Sequence, residues 1–314
     1  MTIACAAGVD VGRDFLDVAI APLGSAFRQA NAPAGIAALV RRLQRAGVQR
    51  VVLESIGSYG ARLVRALADA GFQVGVVDPK RIRALRLAEG RRAKTDRLDA
   101  ELIARFALLM SDAARAIPGA EALAIRALST RRRQLVEMIA MEKTRLKQLA
   151  GLDEEIAESC RRTIAQLSAE RGQLEARLRE RLLAQADGQA RGELLQSIPG
   201  IGPAVAMTLM ADMPELGSLD RKAAASLAGL APHPNHSGTR LDPGHIQGGR
   251  PCVRTALYMA ALAAARADAG FRREYQALRA SGKPAKVALI AIARKLVVTA
   301  NSVLKRRQPW TPAP

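Results

Sequence analysis

Residues 1–110 alternate short apolar runs with longer stretches in which apolar side chains recur every three or four positions. Short runs of this kind predict strands, and the longer periodic stretches predict helices. The predicted strands cover residues 3–11, 15–21, 25–30, 50–54 and 73–77. The predicted helices cover residues 33–46, 59–70 and a segment that begins near residue 95. This βββαβαβα order predicts an α/β domain with a mixed sheet.

A charge-rich segment, residues 121–190, follows and is dominated by Glu, Arg, Leu and Ala. Its apolar residues approximate a heptad seam, which is made up of Leu135, Ile139, Leu146, Leu149, Ile156, Cys160, Leu167 and Leu174. Gly151 and Asp153 interrupt the seam, which predicts a long helical hairpin or a kinked coiled coil. A solvated helix face is the simpler interpretation, but we favour a spacer or dimerising element over a catalytic one.

The last third of the chain is predicted to consist of helices joined by loops. The predicted helices cover residues 204–211, 221–228, 252–268 and 284–304. Between them, residues 231–251 are rich in Pro, Gly, His and Asn, which predicts an ordered loop region. The proline-rich end of the chain is expected to fray.

The composition favours a largely helical protein, because Ala, Leu and Arg dominate and aromatic residues make up only 3%. The chain carries 48 basic and 29 acidic residues, which gives a net charge of +19. Such a charge predicts a polyanionic partner, and nucleic acid first of all, because each neutralised phosphate releases counterions. An anionic membrane surface is disfavoured, since no predicted helix has the bulky apolar face that it requires.

The sequence predicts neither a membrane span nor an export signal. No apolar run approaches the roughly 18 to 20 residues of a spanning helix, and no basic region precedes an apolar one at the N-terminus. Three cysteines, Cys5, Cys160 and Cys252, lie too far apart for a zinc or redox motif and are expected to be buried thiols. We therefore expect a cytoplasmic protein without membrane association.

Four acidic residues form the main candidate site. Asp10 and Glu54 each end a predicted strand, while Asp96 and Asp99 share one helix face because they are spaced i, i+3. Four carboxylates brought together would repel one another unless cations bound between them, and hard divalent ions such as Mg²⁺ or Mn²⁺ prefer oxygen ligands. Two such ions would support phosphodiester transfer.

Each of these acids also has a simpler interpretation. An aspartate before a turn, as at Asp10, is often only a turn former. Asp96 could cap its helix, with Asp99 assisting at the helix N-terminus. Taken singly, these interpretations are the commoner ones, but the joint occurrence of four acids in a strongly basic chain favours a metal site.

A basic stretch between residues 79 and 98 adjoins these acids and contains only two acidic residues, Glu89 and Asp96. Its basic residues are Lys80, Arg81, Arg83, Arg86, Arg91, Arg92, Lys94 and Arg97. Charge runs are usually solvated surface. A phosphate backbone would have to lie beside the proposed metal site, however, so nucleic-acid contact is favoured here.

Residues 198–203, Ile-Pro-Gly-Ile-Gly-Pro, precede a helix of small residues and resemble the turn of a helix-hairpin-helix element. In such a turn, Gly200 and Gly202 would let backbone N–H groups approach a phosphate closely. A plain turn between helices is the alternative.

A candidate nucleophile, Ser237, lies in residues 234–239, Pro-Asn-His-Ser-Gly-Thr. Three basic residues lie near it in sequence and are predicted to contact nucleic acid: Arg240, Arg250 and Arg254. A serine hydroxyl is a weak nucleophile until a base or metal activates it, and His236 or His245 are candidates for the base. From the residues alone, Ser237 is more simply a turn residue.

Several motifs occur together along residues 5–268. They are Gly-Val-Asp-Val-Gly at 8–12, Leu-Glu-Ser-Ile-Gly at 53–57, Asp-Pro at 78–79, Lys-Thr-Asp-Arg-Leu-Asp-Ala at 94–100, the turn at 198–203, Leu-Ala-Gly-Leu-Ala-Pro at 227–232, His-Ser-Gly-Thr at 236–239 and Arg-Thr-Ala-Leu-Tyr at 254–258. In this order they resemble the insertion sequence 110 family of bacterial transposases. The segment at 94–100 is the most specific of them.

The resemblance implies an N-terminal RuvC-like, ribonuclease-H-type domain whose DEDD tetrad binds divalent metal. Matched by motif, the tetrad is Asp10, Glu54, Asp96 and Asp99. A C-terminal transposase domain would supply a serine that attacks DNA, here Ser237. The resemblance also implies a composite site shared between protomers, and a structured guide RNA that pairs with donor and target DNA.

We therefore expect an α/β domain at 1–115, a helical or coiled-coil spacer at 116–192, an all-α serine-bearing domain at 193–306 and a frayed tail at 307–314. The protein is expected to act as a dimer or tetramer with Mg²⁺ or Mn²⁺, and to cut and rejoin DNA strands. Two alternatives stay open: a metal-dependent RuvC-like nuclease, such as a junction resolvase, that makes no use of the serine, and a non-catalytic nucleic-acid-binding scaffold.

Overall fold

The computed structural model describes residues 5–54, 59–90, 95–110, 119–149, 151, 153–233 and 244–312. Several predicted site residues lie outside the described residues: Arg91, Arg92, Lys94, His236, Ser237 and Arg240. The chain divides into two compact units, residues 1–119 and residues 120–314.

The first unit is built on a five-stranded mixed sheet, as the sequence predicts. Its strands are β1 (Ala6–Val11), β2 (Phe15–Ala21), β3 (Ser25–Ala30), β4 (Arg50–Glu54) and β5 (Gln73–Val77). The spatial order is β3-β2-β1-β4-β5. Short turns make β1, β2 and β3 antiparallel, whereas helical crossovers make β1, β4 and β5 parallel.

Four helices cover the two faces of this sheet: α1 (Pro33–Arg45), α2 (Ala61–Asp69), α3 (Pro79–Ala88) and α4 (Asp96–Leu109). Apolar residues of α1 and α2 pack on one face, and those of α3 and α4 pack on the other. Helix α3 was not predicted from the sequence, because its basic residues obscure its apolar positions. Its start signals were nonetheless present, because Asp78 accepts a hydrogen bond from the Lys80 backbone N–H at 2.8 Å and Pro79 occupies the first turn.

Helix α4 lies directly against β1 because Gly8 has no side chain. A Cβ at Gly8 would lie 2.1 Å from the backbone nitrogen of Ala104 and 2.4 Å from the carbonyl oxygen of Ala100. Thr95 caps this helix, since its hydroxyl accepts a hydrogen bond from the Leu98 N–H at 3.3 Å. The first turn of α4 is thereby held close to the end of β1, which positions the candidate site.

The second unit begins with two helices of 30 residues each, α5 (Ala120–Leu149) and α6 (Glu154–Leu183). Ion pairs between the start of α5 and the end of α6 show that the two helices run antiparallel. They join Glu121 to Arg181 at 3.0 Å and Arg132 to Glu175 at 2.8 Å. Asp153 caps α6 through hydrogen bonds from two backbone N–H groups. A helical pair is therefore observed, while its role as a coiled-coil spacer stays a prediction.

The rest of the second unit is largely helical. Its elements are α7 (Gly188–Gln196), α8 (Pro203–Asp212), α9 (Arg221–Leu227), β6 (Pro232–His233), β7 (His245–Ile246), α10 (Pro251–Ala267), α11 (Ala269–Ala280) and α12 (Ala285–Arg306). The sequence analysis missed α7, α11 and the β6–β7 ladder. Trp310, in the segment expected to fray, stacks on Phe271 with ring centroids 6.4 Å apart and donates its backbone N–H to the Ser197 hydroxyl at 2.8 Å.

Helix α12 is the central helix of this core. Leu296, Val297 and Ala300 are fully buried in it. Among the described residues it is the one helix long and apolar enough to cross a membrane, which corrects the expectation that no run approaches that length. Because 56% of its apolar window is buried inside the protein, α12 has the character of a core helix.

Candidate metal centre and serine loop

Two predicted site residues, Asp10 and Glu54, end neighbouring parallel strands on the same face of the sheet. Val9 pairs with Leu53, so the next residues along β1 and β4 lie side by side. On its other side, Asp10 pairs with Asp17 of the antiparallel strand β2. This face therefore carries three carboxylates in adjacent strands. The sequence analysis missed Asp17, although the short turn between two predicted strands was sufficient to predict its pairing.

Helix α4 adds two more carboxylates, Asp96 and Asp99, from its first turn, and Asp99 is buried. The pKa of Asp10 is raised from 3.8 to about 6, first by burial and then by the negative charges of Glu54, Asp99, Asp96 and Asp17. A raised carboxyl pKa is the result expected where like charges converge without enough compensation. The structure thus brings Glu54, Asp96 and Asp99 within electrostatic reach of Asp10.

Two arginines reach into this acidic cluster. Arg28 of β3 donates two hydrogen bonds to Asp17, at 3.0 and 2.9 Å, and a third to Asp96 at 3.3 Å. Arg86 of α3 forms an ion pair with Asp99. Both α4 carboxylates are therefore already engaged by guanidinium groups. The sequence analysis did not single out Arg28, and it assigned Arg86 to phosphate contact.

The donor chemistry of this cluster fits a hard divalent cation, which prefers carboxylate oxygens. Among the residues that the structure describes, however, no three potential ligands are grouped closely enough to hold a metal ion. The two arginines supply a physical reason, because each draws an α4 carboxylate toward itself. Burial first, and then the neighbouring carboxylates, raise the pKa of Asp10, and a bound cation would offset both effects.

The basic residues of α3 differ in their environments. Lys80 and Arg83 are exposed on the surface. The Arg81 guanidinium lies over the Phe106 ring, 4.9 Å from its centroid, and Arg86 faces Asp99. Lys80 and Arg83 are thus the basic residues of α3 that are most open to a phosphate backbone.

In the second unit, the segment that contains Ser237 is anchored at both ends. Strands β6 and β7 pair antiparallel, with Pro232 opposite Ile246 and His233 opposite His245. Ser237 itself lies between these strands in the sequence, outside the described residues. The ladder thus fixes where the serine loop leaves and rejoins the helical unit.

Gly229 and Gly249 bring the chain segments on the outer sides of β6 and β7 into close contact. A Cβ at Gly249 would lie 2.2 Å from the backbone nitrogen of Gly229, and both residues have positive φ, so side chains are excluded here. Arg254 donates to the carbonyl oxygens of Gly229 and Gly248 at 3.3 and 3.0 Å. Arg254, predicted to contact nucleic acid, therefore also joins the segment of Gly229 to the segment of Gly248.

A polar network joins Arg250, the N-cap of α10, to the end of α8 and to α5. Arg250 donates to both carboxylate oxygens of Glu215, at 2.7 and 2.6 Å, and to the carbonyl oxygen of Asp212 at 2.7 Å. The buried carboxylate of Asp212 accepts hydrogen bonds from Ser129 at 2.7 Å and from Arg133 at 2.8 Å. Arg250 thus has a structural function besides its predicted nucleic-acid contact.

Replacing Arg250 by methionine is expected to lower the free energy of unfolding by about 2 kcal/mol, since hydrogen bonds to charged groups contribute about 1.5 to 3 kcal/mol and this pair is partly exposed. The hydrogen bonds from Arg250 lower the pKa of Glu215 below 4.5. Stability from such a shift is present above pH 4.5 and is lost as the pH falls through the folded-state pKa.

Urea unfolding of wild type and Arg250→Met at neutral and acidic pH tests this prediction. The difference between the two proteins should shrink below pH 4.5. Arg221→Met removes an exposed arginine from α9 and should have little effect at either pH. If the free energies of unfolding of wild type and Arg250→Met differ by the same amount at both pH values, the ion-pair explanation is contradicted.

The predicted helix-hairpin-helix turn is used largely for internal packing. Gly200 has φ of 85°, and a Cβ there would lie 2.2 Å from the carbonyl oxygen of Ala260 in α10. Gly202 is the N-cap of α8, and a Cβ there would meet no atom within 4 Å. Of the two predicted phosphate contacts, Gly202 is therefore the one with open space around it.

Comparison with known families gives two matches that together cover most of the chain. Residues 7–154 match a model of DEDD-type IS110 transposases described as "Transposase". Residues 192–276 match a model described as "Transposase IS116/IS110/IS902 family". Both models concern the same group of transposases, and they match the chain in the order predicted from its motifs.

Similar proteins occur in several bacteria. A pilin gene-inverting protein of Moraxella bovis is 26% identical over 264 residues, which cover 83% of this chain and 81% of that protein. An insertion element IS110 protein of Streptomyces coelicolor is 28% identical over 194 residues, 55% of this chain and 47% of that protein. An insertion element IS116 protein of Streptomyces clavuligerus is 34% identical over 126 residues, 40% of this chain and 32% of that protein.

Among solved structures, RuvC of Thermus thermophilus aligns with part of the chain. In its complex with a Holliday junction substrate the TM-score is 0.25 at 16% identity, over 32% of this chain and 89% of RuvC. A second RuvC structure aligns with a TM-score of 0.23 at 18% identity, over 36% of this chain and 84% of RuvC.

Proposed function

Because this chain belongs to the IS110 family of transposases, we propose that it cuts and rejoins DNA strands with a divalent-metal centre in its first unit and a serine nucleophile in its second. We assign the first unit to the RuvC-like, ribonuclease-H type. The metal ligands are Asp10, Glu54, Asp96 and Asp99, and the nucleophile is Ser237.

One observation carries the metal half of this proposal: strand pairing sets Asp10 beside Glu54 and Asp17 on the face that α4 covers. Burial and the neighbouring carboxylates raise the pKa of Asp10 to about 6, in keeping with this arrangement. A protein that used these acids only as turn formers and helix caps would gain nothing from bringing them together on one face. Gly8 supports the same conclusion, because its missing side chain lets α4 bring two of the acids to the strand ends.

In the proposed reaction, the Ser237 hydroxyl attacks a DNA phosphorus and loses its proton to a base, for which His236 and His245 are candidates. One P–O ester bond breaks, and its oxygen leaves with a proton as a DNA hydroxyl. A hydroxyl of the recipient strand then attacks the phosphoserine, takes over the phosphate and returns the proton to Ser237. Mg²⁺ or Mn²⁺, when bound by the four carboxylates, would stabilise the charge that develops on the phosphate oxygens.

The expected partners are donor and target DNA, a structured guide RNA and further copies of the chain, in the cytoplasm. The net charge of +19 supports a polyanionic partner. The proposed phosphate contacts are Lys80, Arg81, Arg83, Arg91, Arg92, Lys94, Gly202, Arg240 and Arg254. A relative named for inverting a pilin gene supports rearrangement of DNA as the reaction class.

A second candidate is a metal-dependent nuclease of the junction-resolving type, in which Ser237 has no chemical role. The acidic cluster favours it specifically, because that cluster assembles entirely within the first unit. In this case water would be the nucleophile and no protein–DNA bond would form.

Trapping of a covalent adduct separates the two candidates. The full chain is incubated with labelled element-end DNA, the element's flanking RNA and Mg²⁺, then denatured and resolved by size. Wild type is expected to give a labelled protein, Ser237→Ala is expected to give none, and Thr239→Ala, which removes a neighbouring hydroxyl, is expected to behave as wild type. If Ser237→Ala still cuts DNA, the nuclease candidate replaces the serine recombinase.

A further inference from the structure

The ion pair between Arg86 and Asp99 is unusual in its surroundings. The side chain of Asp99 is 7% exposed and that of Arg86 is 18% exposed, so both charges are largely removed from water. By contrast, the other described arginine at the cluster, Arg28, is 53% exposed. A desolvated pair of this kind holds its partners firmly, because removing one of them leaves a buried charge uncompensated.

The same carboxylate is part of the acidic cluster that faces Asp10. Asp99 therefore has two possible cationic partners: the guanidinium of α3 and a divalent ion bound among the acids. Arg86 donates through one guanidinium nitrogen to Asp99 Oδ1, and a divalent ion bound among the acids would need the oxygens of the same carboxylate. The guanidinium and the divalent ion cannot both bind the same lone pairs of the Asp99 carboxylate.

On the basis of the metal centre proposed above, we propose that Arg86 is an internal counter-ion, which binds Asp99 in the metal-free protein. The divalent ion then has to compete with Arg86 for that carboxylate. Metal binding then requires the guanidinium to release Asp99. Once released, Arg86 becomes a free cation in the last turn of α3, the helix that also carries the exposed Lys80 and Arg83. In this position it faces the surface on which the phosphate backbone of DNA is proposed to lie.

Two opposite effects on one variant follow from this competition. Without metal, Arg86→Gln should be less stable than wild type, because Asp99 loses the cation that compensates its buried charge. With metal, the same variant should bind the ion more tightly, because no guanidinium has to be displaced. A purely structural arginine would give the first effect without the second.

The test is titration of Mn²⁺ alone into metal-free full-length protein by calorimetry, with thermal unfolding measured in parallel. Arg86→Gln is expected to bind Mn²⁺ about tenfold more tightly than wild type, which corresponds to about 1.4 kcal/mol. Its melting temperature without metal should be lower, and Mn²⁺ should raise it by more than it does in wild type.

Arg97→Gln is the matched control. It removes one positive charge from the same turn of α4 as the ligands, but the Arg97 guanidinium pairs with Glu101 at 3.4 Å instead. Its affinity for Mn²⁺ is expected to stay within about twofold of wild type, because a 72% exposed charge is well screened. Equal tightening in both variants would overturn direct competition and leave only a general charge effect.

Arg86→Lys keeps the test decisive if the glutamine variant does not fold. A lysine retains the charge but lacks the two-pronged grip of a guanidinium, so Mn²⁺ should bind about threefold more tightly than in wild type. If wild type binds Mn²⁺ and a folded Arg86 variant binds it equally or more weakly, the competition by Arg86 is overturned while the proposed metal centre stands. Absence of Mn²⁺ binding in every protein, with DNA still cut in EDTA, would overturn the metal centre as well.

Discussion

Asp10→Asn is expected to lower Mg²⁺-dependent DNA cleavage by about a thousandfold, as removal of one charge-stabilising group from a phosphoryl-transfer site typically does. Asp10 is the carboxylate on which the other acids of the cluster converge. An amide keeps the shape and part of the hydrogen bonding of this side chain but provides no negative charge to bind a cation.

The same substitution is expected to leave the first unit folded, which separates a catalytic role from a structural one. In wild type, the pKa of Asp10 is raised from 3.8 to about 6. A carboxyl with a raised folded-state pKa binds its proton more tightly when folded, so the metal-free protein loses stability as the pH rises between these two values. Asp10→Asn cannot ionise and should lack this loss, so in EDTA at neutral pH it should be at least as stable as wild type.

DNA cleavage and urea unfolding of the two proteins measure these two effects. Asp14→Asn is the matched control, because Asp14 lies in the turn after β1 and its side chain is 67% exposed. This control should retain both the activity and the pH dependence of wild type. Cleavage by Asp10→Asn at the wild-type rate would show that the acidic cluster has no part in the chemistry, and would favour a non-catalytic scaffold.

Gly8→Ala is expected to lower the free energy of unfolding by about 3 kcal/mol or more. This is the largest loss expected from adding a single methyl group to the first unit. The new Cβ would lie within 2.7 Å of three backbone atoms of α4, and backbone cannot move aside as a flexible side chain can. Helix α4 would have to shift away from β1 and carry Asp96 and Asp99 with it. Loss of Mn²⁺ binding should therefore accompany the loss of stability.

Gly60→Ala is the control for this prediction, because a Cβ there would meet only the side chain of Val11, at an ordinary 3.7 Å. Thermal unfolding and Mn²⁺ titration of both variants provide the measurements. If Gly8→Ala binds Mn²⁺ with wild-type affinity, the close approach of α4 to β1 is not what positions the carboxylates.

The sequence by itself determined the family, the α/β character of the first unit and the bounds of most strands. The predicted ranges 15–21, 25–30, 50–54 and 73–77 coincide with β2, β3, β4 and β5. These features depend on alternation of apolar residues and on turn residues a few positions apart, which are local properties. The motif spacing also indicates four acidic residues as candidate metal ligands without any knowledge of their contacts. Ser237 as nucleophile, the guide RNA and the oligomer stay predictions.

Only the tertiary structure decided what surrounds those acids. Asp17 and Arg28 join the cluster through strand pairing, and Arg86 reaches Asp99 because α3 and α4 pack on the same face. Likewise, Gly200 contacts α10, 60 residues away in the sequence at Ala260, so its use for packing was not visible in the turn motif. Ion pairs and close backbone approaches between distant segments depend on the arrangement of whole elements, and a local sequence pattern holds no information on that arrangement.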